Sequence, residues 1–400
     1  MTDPFVSRSE GQAFFVGPTV FLRPVEPEDA ASAPVWHPDP WPKPAEVIEE
    51  QLKDQLGDDP DVEADQQRLL ICRRADDRPL GSVFFDYEHG RECTLWFTHD
   101  PNRSLDERAA VEAEVMTFTL PWLLEKRNLM KVSSDHLGNH PLVAATAAGL
   151  GMRQNYRLRE AYQYHGERYD RIGYELLDPR WIATLGMPRG MQEGPIEREV
   201  RAPAPVRWRP QGGPAELPTN AIITGDRLSL RPFEPEDGKL ASRWLMQDTD
   251  DSFPNGPDVV NPWAFGQAHV ALAKESPPTW LRFAIVRNED DQLIGANGIE
   301  NLDLLHRTAE TESTIFHPDF RNQGYGTEAK HLLLEYAFDR LGLHMVYSWV
   351  SEFNTRSAAA LRKQGYREAG YFAWADLYQG NFVGGWYFDY LAAEWRAARK

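Results

Sequence analysis

The sequence predicts an α/β chain built of two related halves, and three observations carry that expectation. First, Thr311 to Phe316 is a short β-type run, Arg321-Asn322-Gln323-Gly324-Tyr325-Gly326 follows as a glycine turn, and Ala329, Leu332, Leu333, Tyr336, Ala337 and Leu341 then recur with helical spacing. Second, the pattern L-R-P-x-E-P-E-D occurs at Leu22 to Asp29 and again at Leu230 to Asp237, with seven of eight positions identical. Third, residues 187–221 are studded with Pro188, Pro195, Pro203, Pro205, Pro210, Pro214 and Pro218 and with four glycines, which reads as a stiff, extended linker between the halves.

Taken in order, residues 1–16 read as a loose leader. Each L-R-P-x-E-P-E-D stretch reads as a first strand followed by an acid-rich helix start. Ile71 to Gly81 parallels Ile285 to Gly295, and both read as strand, Asp-Asp turn, strand. Asp100-Pro101-Asn102-Arg103 parallels Pro318-Asp319-Phe320-Arg321. Asn128 to Gly151 parallels Gly342 to Gly365, with Asn139 near the counterpart of Asn354. A tandem of related domains is therefore expected, over residues 17–186 and 222–400.

The glycine turn in the second half has a chemical use. A helix start leaves backbone N–H groups unpaired and carries partial positive charge. Two glycines let a ligand approach the backbone with no Cβ in the way. The combination suits a pyrophosphate, with Arg321 on its rim. A dinucleotide loop would need a ribose acid some way downstream, and Asp339 lies too near, inside the same helix. A Walker loop would need Gly-Lys-Ser/Thr, which is absent. The plain alternative is a helix start with incidental glycines. In the first half, alignment of Arg103 with Arg321 puts Asp106 and Arg108 where Gly324 and Gly326 stand, and Asp106 and Glu107 would set carboxylates against a pyrophosphate. That copy is expected not to hold a pyrophosphate; a repurposed loop that binds something else is the alternative.

Composition sets outer limits. The chain has 400 residues, 42% of them hydrophobic, and a formal net charge of -18, which disfavours nucleic acid as a partner and suits cationic acceptors. Solubility alone is the other reading of that charge. No run approaches eighteen apolar residues, so no membrane span is expected. The start, Met1 to Arg8, lacks the basic and apolar segments of a signal peptide. Two cysteines, Cys72 and Cys93, fit a reducing cytoplasm without a disulfide framework. The eleven histidines hold one H-x-x-x-H spacing, at His136 and His140, and it is broken by Gly138 and Asn139; no C-x-x-C occurs, and no metal is expected.

After the glycine turn, Leu343 to Ser351 is a second β-type run, followed by Asn354-Thr-Arg-Ser357 and by Lys363-Gln-Gly365-Tyr366. Here the sequence resembles the GNAT acyl-CoA N-acyltransferases. Their pyrophosphate motif R/Q-x-x-G-x-G/A is matched by Arg321, Gly324 and Gly326, and their N-x-x-S/A and K-x-G-F/Y pattern by Asn354, Ser357, Lys363, Gly365 and Tyr366. Within that family it is most similar to the branch holding the RimJ and RimL protein-alanine acetyltransferases and the bacterial polyamine acetyltransferases. The resemblance covers residues 222–398. It implies two tandem GNAT-like domains, each a mixed, mostly antiparallel sheet flanked by helices, with the first copy degenerate.

The resemblance also implies roles. Acetyl-CoA would be the co-substrate. Free N–H groups of Ile315, Phe316 and His317 would hold the pantetheine and thioester, Arg321, Asn322, Gln323, Gly324, Tyr325, Gly326 and Thr327 would wrap the pyrophosphate, and Asn354 would contact the pantetheine. The family often places a glutamate base on the strand before the loop. Glu310 and Glu312 lie there, two apart on one face, and Glu312 is the preferred base; a solvent-facing edge is the other reading of both. The family's thiolate acid is a tyrosine seven residues after the motif asparagine, and here that position is Leu361. Ser357 stands where the RimL-like branch has a serine assigned to that role; a serine capping the helix start is the alternative. An acceptor pocket between the first two helices and the C-terminal hairpin would draw on Trp244, Asp250, Asp251, Trp374 and Tyr378, because carboxylates with aromatics suit a cationic amine. A polar turn with ordinary core aromatics is the alternative there. The expected function is N-acetylation of a small cationic amine by the second half alone. Acetylation of a protein N-terminus, or a non-catalytic acyl-CoA or partner-binding tandem, are the alternatives. A homodimer, common in the family, is one expected assembly.

Overall fold

A computed structural model describes residues 13–39, 41–56, 66–88, 91–192, 220–247, 261–316, 318–378 and 380–399. The chain divides into two compact units, residues 1–157 with 170–187, and residues 158–169 with 188–400. Each holds a mixed, mostly antiparallel sheet flanked by helices, as expected from the sequence.

In the first unit the strands are β1 (Phe15–Val16), β2 (Val20–Pro24), β3 (Gln66–Arg73), β4 (Pro79–Glu88), β5 (Glu92–His99), β6 (Lys131–Leu137), β7 (Arg153–Tyr164) and β8 (Glu167–Leu177), in the order β1-β2-β3-β4-β5-β6-β8-β7. Among the described residues only β5 and β6 pair in parallel, from Glu92↔Lys131 to Leu95↔Ser134. The helices are α1 (Ala33–Trp36), α2 (Ala45–Leu56), α3 (Leu105–Lys126), α4 (Pro141–Gly149) and α5 (Pro179–Leu185). The end of the expected leader is ordered: Phe15 pairs with Leu22, and its ring stacks 5.5 Å from Phe118 on α3. Apolar side chains on alternate strand positions bury against one stripe of α3, with Leu22, Ile71, Val83 and Leu95 packed on Met116, Leu120 and Leu123. Each such side chain stabilises the fold by roughly 1.5–3 kcal/mol.

In the second unit, α6 (Arg189–Gln192) precedes β9 (Ile223–Thr224), β10 (Leu228–Pro232), α7 (Pro235–Gln247), α8 (Pro262–Leu272), β11 (Leu281–Arg287), β12 (Leu293–Asp303), β13 (Thr308–Ile315), α9 (Tyr325–Glu335), β14 (Met345–Ser351), α10 (Thr355–Gln364), β15 (Arg367–Tyr378), β16 (Asn381–Leu391) and α11 (Ala392–Ala398). The strand order is β9-β10-β11-β12-β13-β14-β16-β15. The helical stripe read from the sequence is buried: Ala329, Leu332, Leu333 and Ala337 pack on Leu230, Ile285 and Ile299. The opposite face of the sheet holds Phe233, Ala241, Val286, Ala296 and Phe316.

The repeated L-R-P-x-E-P-E-D pattern has one structural meaning in both places. Arg23 grips both oxygens of Asp29, at 2.7 and 2.6 Å, and Asp29 also accepts the Glu26 N–H at 2.8 Å. Arg231 grips Asp237 at 2.6 and 2.8 Å, and Asp237 accepts the Glu234 N–H at 2.8 Å. The arginine thus fixes the aspartate that caps the next helical turn, which ties strand to helix.

Residues 158–169, the turn between β7 and β8 with its flanks, group with the second unit. Arg159 donates to Asp389 on β16 at 2.6 and 2.9 Å and to Glu394 at 2.6 and 2.8 Å. Glu160 pairs with His344 at 2.6 Å. Most of the expected linker lies outside the described residues.

Candidate active site

The site begins where two strands part. β13 and β14 pair in parallel only at Thr308↔Met345, Ala309↔Val346 and Glu310↔Tyr347. Beyond that point β13 continues along β12 as far as Gly295↔Ile315, and β14 continues along β16 as far as Ser351↔Gly385. Side chains lock the base of the fork. Ser348 Oγ donates to the Thr311 carbonyl at 2.7 Å, and Thr311 Oγ1 lies 2.8 Å from both Ser348 Oγ and the Tyr366 hydroxyl.

A cleft of about 360 Å³ runs along the fork, from Thr311, Ser348 and Lys330 to the loop before α9. That loop carries Gly324 at φ +82°, left-handed backbone that a residue with a Cβ adopts at a cost. Gly324 precedes α9 and offers no side-chain cap, and the first helical bond is Glu328 N–H to the Gly324 carbonyl. The N–H groups of residues 322–327 find no backbone acceptor among the described residues. Gly326 differs, since an added Cβ there meets only Ile315, at an ordinary 3.7 Å.

Two arginines serve the loop in different ways. Arg321, expected on the rim, turns back and donates to the carbonyls of Ile315 (3.1 Å) and Phe316 (2.9 Å), so it fixes the strand-to-loop junction. Arg227, which the sequence reading missed, stands beside Gly324. It is oriented by Glu328 at 2.8 Å and lies over the Tyr325 ring at 4.4 Å. Nothing in its local sequence marks it, because the β10 start meets α9 only in the fold.

One expected contact is not available. Phe316 donates its N–H to the Ile294 carbonyl at 2.9 Å, and its side chain is buried on the other face of the sheet. Strand N–H groups alternate in direction, so those of Ser313 and Ile315 are the ones that face the fork. His317 lies outside the described residues.

On the far wall, Asn354 caps α10 by accepting the Ser357 N–H at 3.0 Å, so Ser357 is not the cap and its side chain lines the cleft with Leu361 and Gln364. Glu310 accepts from the Trp349 N–H at 3.1 Å and from Asn301 at 3.3 Å, and burial pushes its carboxyl pKa up. Glu312 is ion-paired with Arg282, which lies over the Trp280 ring at 5.6 Å. Burial lowers the Arg282 pKa to about 10.

Lys330, also missed, is only 3% exposed yet lines the cleft, with its ammonium nitrogen 5.6 Å from the Tyr366 ring centroid. Burial lowers its pKa to about 7, against the opposing pull of Glu310 and Glu300. A signal for it was present: Gly326, Lys330, Leu333 and Ala337 share one face of a helix whose other members on that side are apolar.

The acceptor candidates are less gathered. Trp244 is half-buried with its ring 6.3 Å from Phe316, Trp374 is buried, and Tyr378 stacks on Phe353 at 4.8 Å. None of the three lines the cleft. Asp250 and Asp251 lie outside the described residues. Among the described residues no cluster of histidine, cysteine or acidic side chains could hold a metal ion, and no helix is long and apolar enough to cross a membrane.

The corresponding helix start in the first unit is closed by its own side chains. Ser104 caps α3, with Glu107 N–H donating to Ser104 Oγ at 3.3 Å and Ser104 N–H donating to the Glu107 carboxylate at 3.0 Å. Asp106 pairs with His140 at 2.9 Å. Beside the β5–β6 fork, buried Glu112 bridges His99 (2.8 Å) and His136 (2.6 Å).

Residues 227–367 match the model of the acetyltransferase (GNAT) domain. Among curated proteins, the uncharacterized N-acetyltransferase YnaD of Bacillus subtilis (strain 168) is 26% identical over 175 residues, 43% of this chain and 98% of YnaD. The uncharacterized N-acetyltransferase YoaA of the same organism is 28% identical over 152 residues, 37% of this chain and 84% of YoaA. Similar solved structures include a probable acetyltransferase, at 22% identity over 44% of this chain and 98% of that one, with a TM-score of 0.39. Another is the spermidine N-acetyltransferase from Vibrio cholerae in complex with CoA and spermine, at 19% identity over 42% and 98%, also with a TM-score of 0.39. The second half of the chain therefore carries a GNAT acetyltransferase domain, and the protein is an acyltransferase.

Proposed function

We propose that the second unit is an acetyl-CoA-dependent N-acetyltransferase that transfers directly to the primary amine of a small cationic acceptor. The observation that carries this reading is the uncapped start of α9 opening into the fork between β13 and β14. Unpaired N–H groups of residues 322–327, with Arg227 beside them, fit a pyrophosphate. The N–H groups of Ser313 and Ile315 and the Asn354 side chain would hold the pantetheine along the fork. Bound there, acetyl-CoA supplies an acyl carbon activated as a thioester.

The chain's own groups then divide the proton work. Glu310 is the better-placed base, because burial favours its neutral form and so raises its basicity. Glu312 is held by Arg282 and would shape the field in which a cationic amine docks. Ser357 presents a hydroxyl to the cleft, whereas Leu361 has no proton to give. Trp244, Trp374 and Tyr378, none of which lines the cleft, and Asp250 and Asp251 are kept as proposed acceptor-binding residues.

In this reading the chain is a tandem, the first copy is silent because Ser104 and Glu107 occupy the helix start, and the cytoplasm is the working compartment. The buried thiols Cys72 and Cys93, which form no disulfide, support a reducing compartment. A protein N-terminus, as the resemblance to the RimJ and RimL branch implies, is the other proposed acceptor. Calorimetric titration with acetyl-CoA, followed by thiol release with spermidine, an amino sugar and a short peptide with a free N-terminus, tests these points. Binding with release on a small amine is the expected result. Release on the peptide alone selects the RimJ and RimL type, and no acetyl-CoA binding overturns the reading.

A further inference from the structure

The inner end of the cleft is polar where a pocket for an acetyl methyl group has no need to be. Lys330 reaches it from the second turn of α9, at 3% exposure. Its ammonium nitrogen makes no hydrogen bond or ion pair with any described residue and lies over the Tyr366 ring. Tyr366 in turn meets Thr311 at 2.8 Å, at the base of the fork. Gln364, 5% exposed and also lining the cleft, leaves Oε1 without a partner among the described residues. The charged and titratable groups that face Lys330 are Glu310 on β13, Glu300 on β12 and Tyr366 after α10. Neither carboxylate comes within ion-pair distance of it. A buried amine left in this state is costly when charged, and a ligand that brings a carboxylate relieves the cost.

We propose that Lys330 makes the inner end of the cleft a carboxylate subsite, so that among acyl-CoA thioesters longer than acetyl the site prefers chains ending in a carboxylate, such as succinyl, over neutral chains of the same length. The inference rests on the reading of the fork as an acyl-CoA site. It assigns Lys330 as a specificity residue and leaves acetyl-CoA as a donor, since an acetyl group carries no terminal carboxylate to be selected. Its pKa near 7 places the discrimination on the acid side: protonated Lys330 attracts the chain's carboxylate, and loss of the proton removes the attraction.

The test is calorimetric titration of the full chain with free CoA, butyryl-CoA and succinyl-CoA, at about pH 6 and about pH 9. Butyryl and succinyl chains have the same carbon count and differ in the terminal charge. At the lower pH, succinyl-CoA should bind roughly tenfold tighter than butyryl-CoA, and the ratio should fall towards one at the higher pH. In Lys330→Met, close in volume and apolar, the ratio should be one or inverted at both pH values. Equal binding of the two thioesters by the unaltered protein overturns the inference, as does a preference that persists in Lys330→Met. If that variant fails to fold, the pH comparison on the unaltered chain decides. Binding of free CoA without the preference sinks only this inference, whereas absence of CoA binding sinks the acyl-CoA reading beneath it.

Discussion

At the start of α3 the Glu107 carboxylate accepts the N–H of Ser104 at 3.0 Å, and so fills with the chain's own charge the place that Gly324 leaves open before α9. One acetyl-CoA per chain should therefore bind, and calorimetry should give a stoichiometry of one. Gly324→Asp puts a Cβ into left-handed backbone and a negative charge beside the unpaired N–H groups. It should weaken acetyl-CoA on the order of a hundredfold or more while thermal melts show the fold retained. Asp106→Asn removes only an exposed pair with His140 and should leave acetyl-CoA affinity unchanged. Two equivalent sites per chain, or a large effect of Asp106→Asn, would reverse the assignment of the silent copy.

Glu310 must lose its proton to act as a base, and burial raises the pH at which it does so. The acid limb of the rate profile should therefore lie above the ordinary carboxylate range. Glu310→Gln should lower turnover by roughly a hundredfold or more and remove that limb. A profile that keeps its acid limb in this variant would assign the base elsewhere.

The Glu112 bridge makes the first unit acid-sensitive. Burial alone would raise the Glu112 pKa, but His136 and His99 outweigh it and the net shift is downward. Its stabilisation is thus present above the ordinary carboxylate range and is lost as pH falls. Burial lowers the His99 pKa, so the unfolded chain takes up that proton first, which again favours unfolding as pH drops. Urea unfolding should show this unit losing stability below neutral pH. Glu112→Ala should cost roughly 3–5 kcal/mol and remove the carboxylate part of the pH dependence, while the His99 part, which Glu112 opposes, steepens.

Arg159→Ala leaves Asp389, which is fully buried, without its cation. The loss should be roughly 3–5 kcal/mol, read as a lower urea midpoint in the transition that acetyl-CoA protects. A shift confined to the other transition would show that residues 158–169 belong with the first unit.

The elements of the sheets and the helix stripes were legible because strand and helix periods mark buried faces directly, as at Leu332, Leu333 and Ala337. The uncapped start of α9 was legible in Gly324 and Gly326, which put positions with no side chain at the head of a helical stripe. What escaped depends on three-dimensional company. Arg227 meets Gly324 through a contact about a hundred residues apart in the chain. The N–H of Phe316 was expected to be free, and it is spent on Ile294 because strand alternation sets its direction. Glu310 and Glu312 share one face, yet burial of the first and pairing of the second with Arg282 separate their chemistry. Lys330 was visible as a charge within an apolar stripe, but its lack of a partner is a property of the folded cleft.

The hairpin turn at residues 158–169 also sets an order of events on the ribosome. Arg159 is translated 230 residues before Asp389. At synthesis rates of about 5–20 residues per second, that interval is roughly 10–50 s. Through that time β7 and β8 are complete but the ends that meet at their turn have no partner, so nascent chains should present this turn to chaperones and proteases until the last strand emerges. A stop before β16 would strand it permanently.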